Sequence, residues 1–333
     1  MSDLIGIDDI TAAAERIAGN VLRTPTVASP GLSANLGVPV ALKLELLQRS
    51  GSFKPRGVFN KILGLSAAER DAGVVAVSGG NHGIALADVA GSLGVAATVV
   101  MPESAPASSV ASARESGADV RITPDMPTAF ALMDELVAGG RTLVHPFDDR
   151  VVVAGQATVG LEFAQDAPDV TDVLVSIGGG GLIAGVAVAM KALVPGVRVW
   201  GVETEGADAM KLALAASSPV SITPTSIAST LCAPFVTPLT LAHVQALVED
   251  VIVVPDADAV RGTLTLAEEA KVWTEPAAGC LVPAAHQVLD RVAPDARLGL
   301  VICGGNVGTG DIAGWAERFA ATPYPTRAAT ARR

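Results

Sequence analysis

The sequence predicts an α/β fold with two parallel-sheet domains and a cleft between them. Short apolar runs alternate with segments of helical periodicity, which is the pattern of parallel strands joined through helices. The alternation comes in two series that meet near residues 148–149. The chain has 333 residues, which is long enough to bury two hydrophobic cores.

The elements follow from periodicity and from proline and glycine positions. In the first series, strands are predicted at 40–44, 74–77, 97–101, 120–122 and 142–145. Helices are predicted at 8–19, after Pro55, through 84–93, at 105–116 and at 127–138. In the second series, strands are predicted at 173–177, 197–202, 251–254 and 298–302, and helices at 152–165, 182–193, 256–272 and 277–291. Residues 217–240 read as a loop, and residues 321–333 as a frayed tail.

Composition excludes several classes of protein. The net charge of −11 disfavours nucleic acid and anionic membranes as partners. The acidic N-terminal segment does not resemble a signal peptide, and no apolar run has transmembrane length. The 3 cysteines are an odd number and lie far apart, which indicates reduced thiols in a cytoplasmic protein, and the 4 histidines lack zinc-site spacing.

The segment from Ser50 to Gly57 carries the first candidate catalytic residue, Lys54. Pro55 follows directly, so we expect Lys54 to be extended and Pro55 to occupy the first position of a helix. The small neighbours of Lys54 would let a ligand approach closely. This arrangement would present the lysine to a carbonyl group.

Three glycine-containing turns follow predicted strands. Gly178–Gly181 comes after one strand and opens a helix, so its backbone N–H groups would form a site for a phosphate. Ser78–Gly83 is a similar turn, whose N–H groups could hold a carboxylate. Cys303 ends the last predicted strand and precedes Gly-Gly-Asn.

Together these four segments resemble the ordered motifs of the pyridoxal-phosphate enzymes of the threonine dehydratase, serine dehydratase and serine racemase family, over about residues 5–315. The resemblance implies the fold-type II, tryptophan synthase beta-like architecture. It implies a large domain of residues 1–67 plus 150–333, a small inserted domain of residues 68–149, and a homodimer. The chain ends soon after Asn306, so we expect no C-terminal regulatory domain.

The resemblance also implies the site residues. Lys54 would bind pyridoxal 5'-phosphate as a Schiff base and act as the catalytic base. The other cofactor-binding residues would be Phe53, Asn81, Gly178, Gly179, Gly180, Gly181 and Cys303. The substrate-binding residues would be Ser78, Gly79, Gly80, Asn81 and His82. Glu203 and the carbonyl of Ala207 match the ligands of a divalent or monovalent cation, but Ala209 replaces the acid expected as the third ligand.

The function predicted is dehydration of L-threonine or L-serine to a 2-oxo acid and ammonia, with the preference between the two left open. Serine racemase ranks lower, because Gly79 stands where racemases carry a serine base. A 3-hydroxyaspartate dehydratase also ranks lower, because residues 122–140 contain no Lys or Arg for a second carboxylate.

Two alternatives come from other classes of protein. The pattern Gly179-x-Gly181-x-x-Ala184 with Glu203 further on also fits the dinucleotide fingerprint of an NAD-binding oxidoreductase. That interpretation leaves Lys54 and the other two turns unexplained. A non-enzymatic amino-acid sensor would be expected to lack Lys54 or the glycine loop, and neither is missing.

Overall fold

The computed structural model describes residues 4–327. The strands, in chain order, are β1 (Thr26–Ala28), β2 (Val40–Leu44), β3 (Val74–Val77), β4 (Ala97–Pro102), β5 (Asp119–Thr123), β6 (Thr142–Leu143), β7 (Asp172–Ser176), β8 (Arg198–Thr204), β9 (Asp250–Val254) and β10 (Leu298–Ile302). They form a six-stranded sheet in the order β1-β2-β10-β7-β8-β9 and a four-stranded sheet in the order β5-β4-β3-β6.

Helices connect and cover the strands. They are α1 (Ile7–Ile17), α2 (Pro30–Leu36), α3 (Pro55–Leu63), α4 (Ala67–Ala72), α5 (Asn81–Ser92), α6 (Ala107–Glu115), α7 (Met126–Ala138), α8 (Arg150–Asp166), α9 (Gly181–Leu193), α10 (Ala209–Ala216), α11 (Pro238–Leu247), α12 (Asp256–Glu269), α13 (Pro276–Gly279), α14 (Leu281–Leu289) and α15 (Thr309–Arg318). In the described part of the chain, none is long and apolar enough to cross a bilayer.

Both sheets are parallel except for β1, which pairs antiparallel with β2 at the edge of the larger sheet. The predicted α/β fold with two parallel sheets is therefore confirmed. All four strands of the smaller sheet fall within residues 68–149. The domain boundaries themselves stay a prediction.

The core is built mostly from aliphatic side chains, because Phe, Trp and Tyr make up only 3% of the residues. In the four-stranded sheet, Val74 packs with α5 on one face, while Val75 packs with Ala129 of α7 on the other. Val58 and Phe59 of α3 belong to the same apolar cluster as Val74. The helix that follows Lys54 is thereby fixed against the smaller sheet.

Several short elements are absent from the prediction. The sequence pattern did not indicate β1, α2 or α10, and the loop predicted at 217–240 already contains the first turn of α11. Thr237 caps that helix and Pro238 begins it, which are ordinary start signals inside a Ser/Thr/Pro-rich stretch. The single helix predicted at 277–291 is two helices that meet at Cys280.

The C-terminal segment packs on the larger domain up to residue 327. The Tyr324 ring lies 4.8 Å from the His286 ring and 4.6 Å from the guanidinium of Arg261. Arg327 forms an ion pair with Asp290. The prediction of a frayed tail is wrong for residues 321–327, and residues 328–333 lie outside the described residues.

Candidate active site

The predicted turns lie where the strand order of each sheet reverses. In the larger sheet, β8 and β9 follow β7 on one side while β10 lies on its other side. The smaller sheet repeats this arrangement, with β3 between β4 and β6. Ligands of doubly wound sheets bind beyond the carboxyl ends of the strands at such switch points. Gly178–Gly181, Cys303 and the Ser78 turn follow β7, β10 and β3, so each leaves its sheet at this type of site.

The backbone of Lys54 differs from the prediction. Lys54 is helical, with φ −55° and ψ −36°, although a residue before proline is biased towards extended conformations. The expectation of an extended Lys54 is therefore wrong, whereas Pro55 does begin the helix. The chain direction is set earlier, at Ser50, which has a positive φ of 59°.

The segment before Lys54 pairs with the segment after β10. The Phe53 N–H donates to the Cys303 carbonyl at 3.1 Å, and the Gly305 N–H donates to the Gly51 carbonyl at 3.0 Å. Between them, Ser52 and Gly304 form an antiparallel bridge. This pairing brings two of the predicted site segments together.

The Lys54 side chain is half-buried, and its Nζ lies 4.9 Å from the centre of the Phe53 ring. Burial lowers the pKa of Lys54 to about 8, and the charges of Cys303 and Glu275 oppose this shift. A lysine with this pKa carries a neutral amine in roughly one molecule in ten at pH 7, far more than an ordinary lysine does. Such an amine can act as a nucleophile or as a general base.

The glycine loop has the geometry of an anion site. Gly180 has a positive φ of 93° and precedes the first residue of α9. A Cβ atom on Gly179 would lie 2.1 Å from the Phe147 ring, so a larger residue does not fit. The first N–H groups of α9 have no acceptor within the helix. A phosphate placed there would receive these hydrogen bonds and the favourable helix dipole.

We expect Gly179→Ala to weaken cofactor binding by roughly tenfold to a hundredfold, the equivalent of one charge-assisted hydrogen bond. The added methyl group forces the loop away from Phe147 and misaligns its N–H groups. Titration of the apoprotein with pyridoxal phosphate measures the change. Gly314→Ala in α15 is the control, because no atom lies within 4 Å of the added Cβ. Equal affinity in the two variants would contradict the assignment of the loop.

Asn81 begins α5 and is buried. Its Oδ1 accepts a hydrogen bond from Asn306 Nδ2 at 2.8 Å, and its Nδ2 donates to Glu275 Oε1 at 2.9 Å. These contacts fix the orientation of the amide and leave its second N–H group for a ligand. Asn81 follows β3 of the smaller sheet, whereas Glu275 precedes α13 and Asn306 follows β10 of the larger sheet, so these hydrogen bonds join segments from the two sides.

His82, predicted to bind substrate, is buried. Its Nε2 lies 2.7 Å from the carbonyl oxygen of Val144. Burial lowers the pKa of His82 to about 3, with the charge of Lys54 acting in the same direction. The side chain is therefore neutral and anchors α5. In the turn before it, the Ser78 N–H donates to the Val100 carbonyl at 3.0 Å and the Gly80 N–H donates to Ser78 Oγ at 3.3 Å, so the predicted contact of the turn with substrate stays a prediction.

Cys303 is buried at the end of β10. The hydroxyl of Ser176 donates to its Sγ at 3.4 Å. Burial raises the pKa of Cys303 to about 12, and the charge of Glu275 adds to the shift. The group is therefore a neutral thiol, which suits a weakly polar partner such as a pyridine nitrogen.

Glu203 has a different environment from the one expected of a cation ligand. Its two carboxylate oxygens accept hydrogen bonds from the backbone N–H groups of Met210 and Lys211, each at 2.9 Å. Burial raises its pKa to about 8. Within residues 4–327, no three His, Cys, Asp or Glu side chains are grouped as a metal site. Glu203 acts here as a cap on α10.

The sequence reading missed Glu275. This residue is buried, and Thr230 and Asn81 both donate hydrogen bonds to its Oε1. One signal was available. A single acid stands directly before the uncharged run from Pro276 to Ala285, which is typical of a buried helix. Nothing in that pattern indicates which residues the acid contacts.

The residues present fit pyridoxal phosphate. A half-buried lysine of lowered pKa, a glycine cradle for a phosphate and a neutral thiol lie on loops at the switch points of two doubly wound sheets. This combination defines a fold-type II pyridoxal-phosphate enzyme. The chain belongs to the pyridoxal-phosphate dependent enzyme family, whose model matches residues 17–304.

Known proteins resemble the chain over almost its whole length. The catabolic L-threonine dehydratase TdcB of Escherichia coli K12 is 38% identical over 309 residues, which cover 91% of this chain and 93% of that protein. An L-threo-3-hydroxyaspartate ammonia-lyase of Pseudomonas is 38% identical over 304 residues, or 90% and 94% of the two chains. The structure of maize serine racemase superposes with a TM-score of 0.88 at 33% identity, covering 95% and 97%.

Proposed function

We propose that the protein is a dehydratase that converts L-threonine to 2-oxobutanoate and L-serine to pyruvate, each with release of ammonia. The observation that carries the proposal is the Lys54 amine, held half-buried with its pKa lowered to about 8, beside the segment of Cys303. The relatives named as dehydratase and ammonia-lyase support the reaction class.

Each site residue has one task in the proposed mechanism. Lys54 would hold the pyridoxal phosphate, Gly178–Gly181 its phosphate, Asn81 its phenolic oxygen and Cys303 its ring nitrogen, with Phe53 beside Lys54. When bound, the cofactor supplies an electron sink for the pair of electrons released at Cα. The neutral thiol of Cys303 does not enforce a charged ring, which suits elimination better than transamination.

The chain then supplies the proton transfers. The N–H groups of the Ser78–His82 turn would bind the substrate carboxylate. Once released by the substrate amine, the neutral Lys54 amine would take the proton from Cα, and the Lys54 ammonium so formed would give a proton to the β-hydroxyl, which leaves as water. The enamine that is released takes up water and loses ammonia, which gives the 2-oxo acid. Substrate, water and products balance without an oxidant.

A substrate panel tests the proposal. Purified protein reconstituted with pyridoxal phosphate is given L-threonine, L-serine, D-serine and L-threo-3-hydroxyaspartate, and 2-oxo acid and ammonia are measured. We expect turnover of L-threonine or L-serine, with 2-oxo acid and ammonia formed in equal amounts. Turnover of L-threo-3-hydroxyaspartate alone would overturn the choice of substrate in favour of the activity of the Pseudomonas relative. A protein that binds no cofactor and responds to NAD would overturn the reaction class.

Racemisation remains the second candidate, because serine racemases are structural neighbours. It needs a base on the opposite face of Cα, and Gly79 offers none. We expect Gly79→Ser to create D-serine formation while lowering elimination by less than roughly tenfold. The new Cβ would lie 2.9 Å from the Cβ of Ala105. The double variant Gly79→Ser with Ala105→Gly removes this close contact and is measured alongside. Chiral chromatography of the serine pool measures both products. D-serine formation by the unmodified protein would contradict this assignment.

The proposal extends to the setting of the enzyme. We place it in the cytoplasm, because all 3 cysteines are free thiols. We propose a homodimer from the family alone. A cation is left out of the proposal, since a metal at Glu203 and Ala207 would have to displace the backbone donors of Met210 and Lys211.

A further inference from the structure

Glu275 is a buried acid in the candidate site that the proposed mechanism does not use. The residue is 4% exposed. Its Oε1 accepts hydrogen bonds from Asn81 Nδ2 at 2.9 Å and from Thr230 Oγ1 at 3.1 Å. Its Oε2 is buried and has no hydrogen-bond partner in the described part of the chain. Leaving a buried carboxyl oxygen unpaired is costly, so a bound ligand is the natural partner.

The acid lies in a hydrogen-bonded chain that crosses the cleft. Thr230 and Glu275 belong to the larger-sheet side, Asn81 begins α5 on the smaller-sheet side, and Asn306 returns to the larger side. Asn306 also donates to the Ser50 carbonyl at 2.8 Å, in the segment that leads to Lys54. Space around Glu275 is tight, because a Cβ on Gly304 would lie 2.7 Å from Oε1. The orientation of the carboxyl group is therefore fixed.

The hydrogen-bond pattern indicates which oxygen carries a proton when the acid is neutral. Two donors already occupy Oε1, so Oε1 acts as the carbonyl oxygen and Oε2 carries the hydrogen. Burial raises the pKa of Glu275 to about 7, against the hydrogen bonds of Thr230 and Asn81 and the charge of Lys54. The neighbouring titratable groups are Lys54 before α3 and Cys303 after β10, with His82 of α5 near Lys54.

We propose that Glu275 is a positioning residue that orients Asn81 and donates a hydrogen bond from a protonated Oε2 to an electron-rich oxygen of the bound ligand. The inference rests on the proposed function and deepens the description of the same site. A neutral acid can donate to such an oxygen, whereas a carboxylate would repel it. A carboxylic acid kept neutral in an apolar site is a known device for this purpose.

Two substitutions of similar size separate the donor from the filling of space. Glu275→Gln keeps an acceptor for Asn81 and Thr230 and replaces the O–H donor with an N–H donor. Glu275→Leu removes both. We expect kcat to fall roughly three- to tenfold in the glutamine variant and roughly a hundredfold in the leucine variant, as for loss of one oriented donor.

The pH dependence provides a second measurement. A carboxyl group loses its proton as the pH rises through its pKa, so the wild-type donor is lost above pH about 7. The glutamine variant does not titrate. We therefore expect the ratio of wild-type to glutamine-variant kcat to be constant below that pH and to fall above it. The charge of Glu275 also raises the pKa of Lys54, so the titration of the acid itself has to be followed separately.

Infrared difference spectroscopy tests the proton directly, without turnover. Glu203, whose pKa is raised to about 8, gives an acid C=O band that the wild type and the glutamine variant share. We expect a second band in the wild type only, and we expect it to disappear above pH about 7. Wild-type kcat in the leucine variant, a glutamine variant as slow as the leucine variant, or no second band would each overturn the proposal. Failure of the proposed function is distinguishable, because it would remove 2-oxo acid formation by the wild type and leave the second band.

Discussion

Lys54→Ala is expected to lose at least roughly a thousandfold in 2-oxo acid formation from L-threonine or L-serine, because the variant lacks the base for the Cα proton. The loss should fall on kcat, since the turn at residues 78–82, which we propose to bind the substrate carboxylate, is not altered. The folded state should be retained, because the Lys54 amine makes no ion pair in the described part of the chain. Steady-state kinetics and circular dichroism measure the two effects.

Chemical labelling distinguishes Lys54 from other lysines. Borohydride reduction of the wild type should remove the visible absorption of the bound cofactor and fix a pyridoxyl group on the peptide that contains Lys54. Lys61→Ala is the matched control, because Lys61 lies on the same helix and pairs with Asp149 at 2.7 Å. The control should keep both activity and label. A label on another lysine, or a Lys54→Ala variant within tenfold of wild type, would refute the assignment.

The fold and the main loops could be predicted from the sequence because their signals are local. A strand that ends in several glycines and leads into a helix is legible within about ten residues. Gly178–Gly181 and the Ser78 turn are of this type, and the structure places both at switch points of their sheets. The chemical roles given to these loops stay predictions until the variants above are measured.

Partnerships across the cleft could not be predicted, because they join residues that are distant in the chain. Glu275 and Asn81 are 194 residues apart, and Asn306 and Asn81 are 225 apart. Local patterns give the identity of such residues without their contacts. The same limit explains His82, whose burial depends on the carbonyl of Val144, the residue that follows β6.

Lys54 shows the opposite limit, where a local rule was overridden. The preference of a residue before proline for extended backbone is a bias of limited size, and tertiary contacts can exceed it. Here the pairing of Gly51 and Phe53 with the segment after β10 sets the direction of the chain. Because α3 begins directly afterwards at Pro55, Lys54 adopts the helical conformation of that helix.

A second large effect is expected at Arg56, two residues after Lys54. Its guanidinium is fully buried and donates to Glu45 at 2.8 Å and to Glu162 at 2.7 Å. Lys43, also fully buried, pairs with Glu162 at 2.6 Å. Burial disfavours the charge on Arg56, but the two carboxylates outweigh it and raise its pKa. The cluster joins α3 to the end of β2 and to α8.

We expect Arg56→Met to lower the free energy of unfolding by about 3–5 kcal/mol, because the buried carboxylate of Glu45 loses its ion-pair partner and Glu162 keeps only Lys43. Arg56→Lys should also be destabilising, since a lysine cannot form the two-sided contacts of the planar guanidinium. Denaturant unfolding of the pyridoxal-phosphate-loaded protein measures both. Arg23→Ala is the matched control, because Arg23 forms an exposed ion pair with Asp166 and such pairs contribute about 0–1 kcal/mol.

The same variants test whether the buried cluster supports the site as well as the fold. Arg56 is the second residue of α3, so loosening the start of this helix should displace Lys54 and weaken cofactor binding in proportion to the loss of stability. Glu45→Gln removes one charge of the cluster while keeping a hydrogen-bond acceptor, and we expect an intermediate loss in both quantities. If the free energy of unfolding of Arg56→Met were within about 1 kcal/mol of the wild-type value, breaking this buried ion pair would not carry the expected cost. Lys54 would then be positioned only by the hydrogen bonds of Gly51 and Phe53 with the segment after β10.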